Sequence, residues 1–166
     1  MKDIGTEPEY IEMPFAQTFA ALAAGKFDMI GTFVTALPSR AHRGTFAGLT
    51  AHYQQNIFYL KPGSKIDKLT DLNVPGKKLA AQQGTSEEVT LKSVYAKAEV
   101  LTFPQMTDAI SAVGTGRADA LLTDVLFLNN AIKAYPDIVV HPETVVPDYA
   151  HNTSDHFPVI TRYDLR

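Results

Sequence analysis

The spacing of apolar positions along the chain changes every ten residues or so, and each change predicts an element. "EYIEM" (9–13) alternates like a short strand. Phe15, Phe19, Leu22 and Ala23 then fall at i, i+4, i+7 and i+8, one face of a helix that Gly25 ends. "FDMIGTFV" (27–34) reads as a buried strand bounded by Pro38, and "SRAHRG" (39–44) as a short turn or helix carrying three basic groups. "AHYQQNIFYL" (51–60) is a longer extended run stopped by "KPGS". "IDKLTDLNVPGKK" (66–78) is a polar helical turn and loop. From there the periods alternate: strand "KLAAQQ", helix 86–97, strand "AEVLTF", helix 105–115 ending at Gly116, strand "ADALLTD", helix 125–134, strand "DIVVHPE" and a final extended run "HFPVITRYD". Strands alternating with helices predict an α/β fold with mostly parallel sheets.

Two stretches repeat one pattern at an offset of 91 residues: "AALAAGKFDMIGT" (20–32) and "SAVGTGRADALLT" (111–123). Each runs from a helix end through Gly, a basic residue, Asp and an apolar strand to Thr. The echo suggests two similar α/β halves, each delivering the carboxyl end of a strand, which is where open α/β sheets bind ligands. Thr35 and Arg40 follow the first copy and Asp124 follows the second. A cation and an anion facing one cleft suit a zwitterion.

The joint "AAQQGTSEEV" (80–89) fits the same picture. Thr85 or Ser86 caps a helix start, and Glu87 and Glu88 complement the positive end of its dipole. The same N–H groups, with Gly84 letting the backbone come close, suit an anionic ligand.

Composition narrows the field of functions. The chain has 166 residues, 45% hydrophobic and 20% charged, enough for a real core in one domain or two small lobes. A net charge of −3 and the lack of a long basic run give no steering toward nucleic acid or anionic membranes. There is no cysteine, hence no disulfide framework and no thiolate metal site. No stretch approaches the ~20 apolar residues that span a bilayer, and "MKDIGTEPEYIEM" lacks the apolar core of a signal peptide. His42, His52, His141, His151 and His156 have no metal-like spacing and read as surface or loop residues.

Three blocks carry a family resemblance. "AALAAGKFDMIGTFVTALPSR" (20–40), "LKPGSKIDKLTDLNVPGKKLAAQQGTSEE" (60–88) and "MTDAISAVGTGRADALLTDV" (106–125) stand in order and with the right spacing over about 15–135. In these blocks the chain resembles the periplasmic solute-binding proteins of ABC transporters, polar amino acid type (bacterial extracellular solute-binding protein family 3). The resemblance implies a type II periplasmic binding protein-like α/β fold. It divides the chain into a partial lobe one with a hinge strand (1–61), a complete lobe two (62–150) and a returning hinge strand with a remnant of lobe one (151–166). It also implies that Arg40 grips a ligand α-carboxylate, with Thr35 and the backbone near Phe33 beside it. Thr85 and Ser86 would join from lobe two, Asp124 would take the α-ammonium, and Gln82 would help set specificity. No cofactor is implied. The implied partners are an amino acid and the membrane subunits of an ABC transporter.

Departures qualify these expectations. "TALPSR" lacks the acid that often precedes the Arg, and "FAGLTAHYQQ" (46–55) replaces the family's "FS-x-P-Y". Both ends are short against the family pattern, so lobe one is expected to be a remnant that a second copy completes in a homodimer. The family's location is periplasmic; without a signal peptide, the chain would be cytoplasmic if it were the whole gene product. Rival readings remain open. A cyclohexadienyl or arogenate dehydratase on the same scaffold would need a buried acid, and nothing in the sequence marks Glu87, Glu88 or Glu143 as one. "TSDHFPV" (153–159) looks like a motif of endonuclease/exonuclease/phosphatase enzymes, but their further metal ligands are not visible. A third reading is a gene fragment without retained activity.

Overall fold

Leu79, Ala80 and Ala81 are fully buried in succession, so the strand they form is covered on both faces. The computed structural model describes residues 7–32, 34–46, 56–124 and 127–145. Strand β1 is Asn56–Leu60, β2 Lys78–Gln82, β3 Glu99–Phe103, β4 Ala120–Asp124 and β5 Val139–Val145. They form one five-stranded sheet in the order β3-β2-β4-β1-β5. β2 pairs parallel with β3 and with β4, while β1 pairs antiparallel with β4 and β5. Four strands therefore run one way and β1 opposes them. The reason lies in the link between β1 and β2. Leu60 and Leu79 both stand beside Ala120, so the chain leaves β1 and enters β2 at the same end of the sheet. Residues 61–77 hold only the short 3₁₀ turn Leu69–Leu72 and no crossover helix.

β1, assigned with lobe one and its hinge, lies inside the sheet between β4 and β5.

Helices cover both faces. α3 (Ser86–Val94) lies on one side, and α4 (Met106–Gly114) and α5 (Leu128–Ala134) on the other. Side chains alternate between the two layers, as strand pleating requires. Ile57, Tyr59 and Leu121 join Ile110, Val113 and Ala131 under α4 and α5. Phe58, Leu60 and Leu122 join Leu91 and Tyr95 under α3. The Phe58 and Tyr95 rings meet edge to face at 5.2 Å. On the other face Gly114 leaves room for Tyr135, whose ring would lie 2.2 Å from an added Cβ and whose hydroxyl bonds Ser111 at 3.0 Å.

Asp119 ties the starts of β2 and β4 to the end of β1. Its carboxylate meets Lys61 Nζ at 2.7 Å and Lys77 Nζ at 3.7 Å, and accepts the Lys78 N–H at 2.9 Å. Burial would raise its pKa, but the Lys61 and Lys78 hydrogen bonds and the Lys61 and Lys77 charges outweigh burial and hold it below the ordinary carboxylate value.

The first forty residues depart most from expectation. A 3₁₀ turn, Phe15–Gln17, leads into α1 (Thr18–Ala23), and α2 is Pro38–Ala41. The helix face turned inward holds Thr18 and Ala21; Phe15, Phe19 and Leu22 are half-buried and Ala23 is exposed. Neither "EYIEM" nor the described part of "FDMIGTFV" forms a strand. A strand needs a hydrogen-bonded neighbour, and among the described residues none runs beside either segment. His141 is also revised: it is buried on β5, with Nε2 at 3.3 Å from the Asp67 carbonyl oxygen. The runs at 47–55 and 156–164, with His52, His151, His156 and "TSDHFPV", lie outside the described residues.

Candidate functional site

The carboxyl ends of β2 and β4 open, together with α2 and the start of α3, on a cavity of ≈ 290 Å³. Each wall is built by a local device. Gly84 has φ +81°, and a Cβ there would stand 2.8 Å from the Ala16 Cα, so only glycine lets the Phe15–Gln17 turn lie against this joint. Thr85 is the N-cap of α3: its Oγ1 accepts the Glu88 N–H at 3.3 Å and donates to the Gln82 carbonyl at 2.7 Å. Glu88 reaches back to the Gly84 N–H at 2.6 Å, a variation on the capping box. Of the two candidate caps, Thr85 is the one used. That leaves the Ser86 hydroxyl to donate to Glu87 Oε2 at 3.1 Å and to meet Thr35 Oγ1 at 3.3 Å. Among the described residues the N–H groups of Ser86 and Glu87 have no acceptor, as the first turn of a helix allows.

Arg40 is 8% exposed and comes from α2, which starts with Pro38. Its Nη1 donates to the Thr35 carbonyl and its Nη2 to the Gly84 carbonyl, both at 2.9 Å. The Phe15 and Phe19 rings each lie 5.5 Å from its Cζ. The two aromatics that the helical spacing put on one apolar face thus hold a guanidinium. Asp124 ends β4 and is 5% exposed. The Tyr59 hydroxyl donates to its backbone carbonyl at 3.0 Å. Burial first and the Asp124 charge second push the Tyr59 pKa upward, which keeps this phenol neutral. Gln82 closes β2 and donates Nε2 to the Pro104 carbonyl at 3.2 Å.

Six of the seven residues expected at the site (Thr35, Arg40, Gln82, Thr85, Ser86 and Asp124) line this one cavity, and Phe33 lies outside the described residues. Sequence reasoning missed Thr32, Thr123, Met106, Phe15, Phe127 and Glu87, which line it too. The internal echo held a signal for two of them, because Thr32 and Thr123 are equivalent positions in its copies. Glu87 had no such signal: the sequence marked no acid as buried, yet the fold leaves it 7% exposed. Arg40, Glu87 and Asp124 give the lining one positive and two negative groups.

Residues 1–134 match the family of bacterial extracellular solute-binding proteins, family 3, and the chain belongs to it. It is 28% identical over 138 residues to a probable histidine-binding protein of Campylobacter jejuni, covering 83% of this chain and 53% of that one. Among solved structures it is similar to an ancestral amino acid-binding protein that is a precursor of cyclohexadienyl dehydratase (31% identity, TM-score 0.74, 84% of this chain and 61% of the other). An ancestral arginine-binding protein bound to arginine matches at 27% identity and TM-score 0.77, over 84% of this chain and 63% of the other. The fold is that of the periplasmic binding proteins, over part of their length. The chain spans about half the length of the curated relatives it matches.

Proposed function

We propose that the chain binds a polar amino acid as the solute-binding component of an ABC import system. The observation that carries this is one cavity that holds a buried guanidinium and a buried carboxylate from different elements, Arg40 of α2 and Asp124 of β4. Arg40 takes the ligand carboxylate, because a planar fork matches two oxygens, and the Ser86 and Glu87 amides add helix-end donors. Asp124 takes the ammonium, while Thr35, Thr85 and Gln82 complete the walls. The relatives' periplasmic setting and transporter subunits are proposed for this chain with the ligand. A thermal-shift screen against the twenty amino acids tests the reading, with arginine and histidine placed first by the relatives' names. A ligand at a hundredfold excess over Kd stabilises by about 2.7 kcal/mol. Arg40→Ala and Asp124→Ala should each weaken binding by about 2–5 kcal/mol, and Arg40→Lys should rescue in part. Unchanged affinity in both alanine variants overturns the assignment; no binding at all leaves a fragment without retained activity.

The exposed Tyr10, Ile11 and Met29 in the first thirty residues support self-association, proposed as a homodimer. A monomer in sedimentation at micromolar concentration overturns that. A second reading has one observation in its favour: Glu87 is a buried carboxyl in the cavity, the group a dehydratase acting on prephenate or arogenate needs as its acid. Turnover of either compound, lost in Glu87→Gln, would establish it.

A further inference from the structure

Glu87 and Glu88 are neighbours in the first turn of α3 with different fates. Glu88 is held by its own element, accepting from Gly84 N–H and pairing with Lys92 one turn on. Glu87 is turned into the cavity and is 7% exposed. Its one described side-chain contact is the Ser86 hydroxyl at 3.1 Å, and among the described residues no cation lies within ion-pair distance of it. A carboxylate has about four acceptor sites, so one hydroxyl leaves most of its capacity for a ligand. The helix start eases the cost of keeping the charge there but does not neutralise it.

The charges of the lining then define a ligand. If Arg40 meets a carboxylate and Asp124 an ammonium, the two charges of an amino acid zwitterion are matched and Glu87 is left over. The geometry points to Glu87 as the residue that reads the ligand side chain, selecting an amino acid whose side chain is a cation. This rests on the amino acid-binding reading above. A cationic side chain gives Glu87 a charge-assisted partner inside the cavity. A neutral one leaves its charge buried and unmatched, and an acidic one is repelled, so the same group attracts one class and rejects the others.

Calorimetric titration of the full chain with arginine, lysine, glutamine and glutamate tests it, alongside Glu87→Gln, Glu87→Asp and Arg40→Ala. The unaltered protein should bind arginine or lysine about 10- to 100-fold more tightly than glutamine, the range a charged hydrogen bond supplies, and glutamate more weakly still. Glu87→Gln should bring arginine and glutamine to within a few-fold of one another, while Glu87→Asp, which keeps the charge, should retain a preference even if the amide variant folds poorly. Binding that Arg40→Ala abolishes, with an arginine-to-glutamine ratio untouched by Glu87→Gln or absent from the start, overturns the role of Glu87 and leaves the amino acid reading standing. No binding of any of the four overturns both.

Discussion

After α1 and after α4 the chain makes the same stop. Gly25 and Gly116 take φ +67° and +74°, and each N–H reaches back three residues, to Leu22 O at 3.0 Å and Val113 O at 2.9 Å. A second bond closes each turn, Lys26 N–H to Ala21 O at 3.0 Å and Ala118 N–H to Ala112 O at 2.8 Å. Beyond that the two copies part. Ala120, Leu121, Leu122 and Thr123 are buried in β4, between β2 and β1. Their counterparts Met29, Ile30, Gly31 and Thr32 form no strand, and Met29 is 57% exposed. The difference is in the neighbours: β4 has a paired strand on either edge, and among the described residues 27–32 has none. A helix stop is written locally, whereas a strand exists only as a member of a pair. Even so, both copies bring a threonine to the cavity, Thr32 and Thr123.

The largest test of that contrast is in the apolar positions. Leu121→Ala should destabilise the protein by about 2–5 kcal/mol, the cost of a core cavity, while Met29→Ala should stay within about 0.5 kcal/mol, as for a surface change; urea unfolding followed by circular dichroism measures both. Equal losses would mean that 27–32 belongs to the same cooperative core.

Gly84 joins the two regions, so Gly84→Ala should break the comparison at its seam. The αL penalty of about 1–2 kcal/mol adds to a Cβ contact with Ala16 that must be relieved by moving the Phe15–Gln17 turn. Phe15 and Phe19 would then part from Arg40, and ligand affinity should fall by more than global stability does. Amide exchange around 15–19 that is unchanged in the variant would disprove the seam.

A smaller effect separates the two aspartates of the echo. Asp119→Ala should cost about 1.5–3 kcal/mol, the value of hydrogen bonds to a charged group, and Asp28→Ala, at an exposed position, close to nothing. The folded-state pKa of Asp119 is lowered. Its contribution is therefore present above the ordinary aspartate pKa and is lost as pH falls through the lowered folded value, so the gap between the unaltered protein and Asp119→Ala should close on acidification. A gap independent of pH would show that the carboxylate charge is not what joins Lys61, Lys77 and Lys78. Smallest of all, Gly116→Ala should lower global stability by about 1 kcal/mol, the low end of the left-handed penalty, whereas Gly25→Ala should register mainly in local amide exchange near 18–26.

Much of residues 78–145 was legible. β2, β3, β4 and the helices between them fall within a few residues of the runs that hydrophobic period, Gly25-like stops and the Thr85 cap mark. There, local propensity and tertiary packing agree, because each strand has covered faces and paired edges. The site was legible in part: Arg40, Thr85, Ser86 and Asp124 stand where short-range signals end an element, and those ends meet. Where the reading failed, a residue's partner lay far away in sequence. Phe15 and Phe19 looked like one apolar face because helical spacing cannot tell an apolar neighbour from a guanidinium twenty residues on. His141 looked like a loop residue because its cover, the Asp67 carbonyl, is on a loop far away in sequence.

By itself, then, the sequence determined periods, stops and caps, since these depend on contacts within a turn or two of the chain. It also determined which chemical groups sit at the ends of elements. Only the tertiary structure decided which apolar segments become strands, the antiparallel place of β1 between β4 and β5 and the inward turn of Glu87. Each of those is settled by what lies across a hydrogen bond or a packed face from a residue, and no local pattern records that.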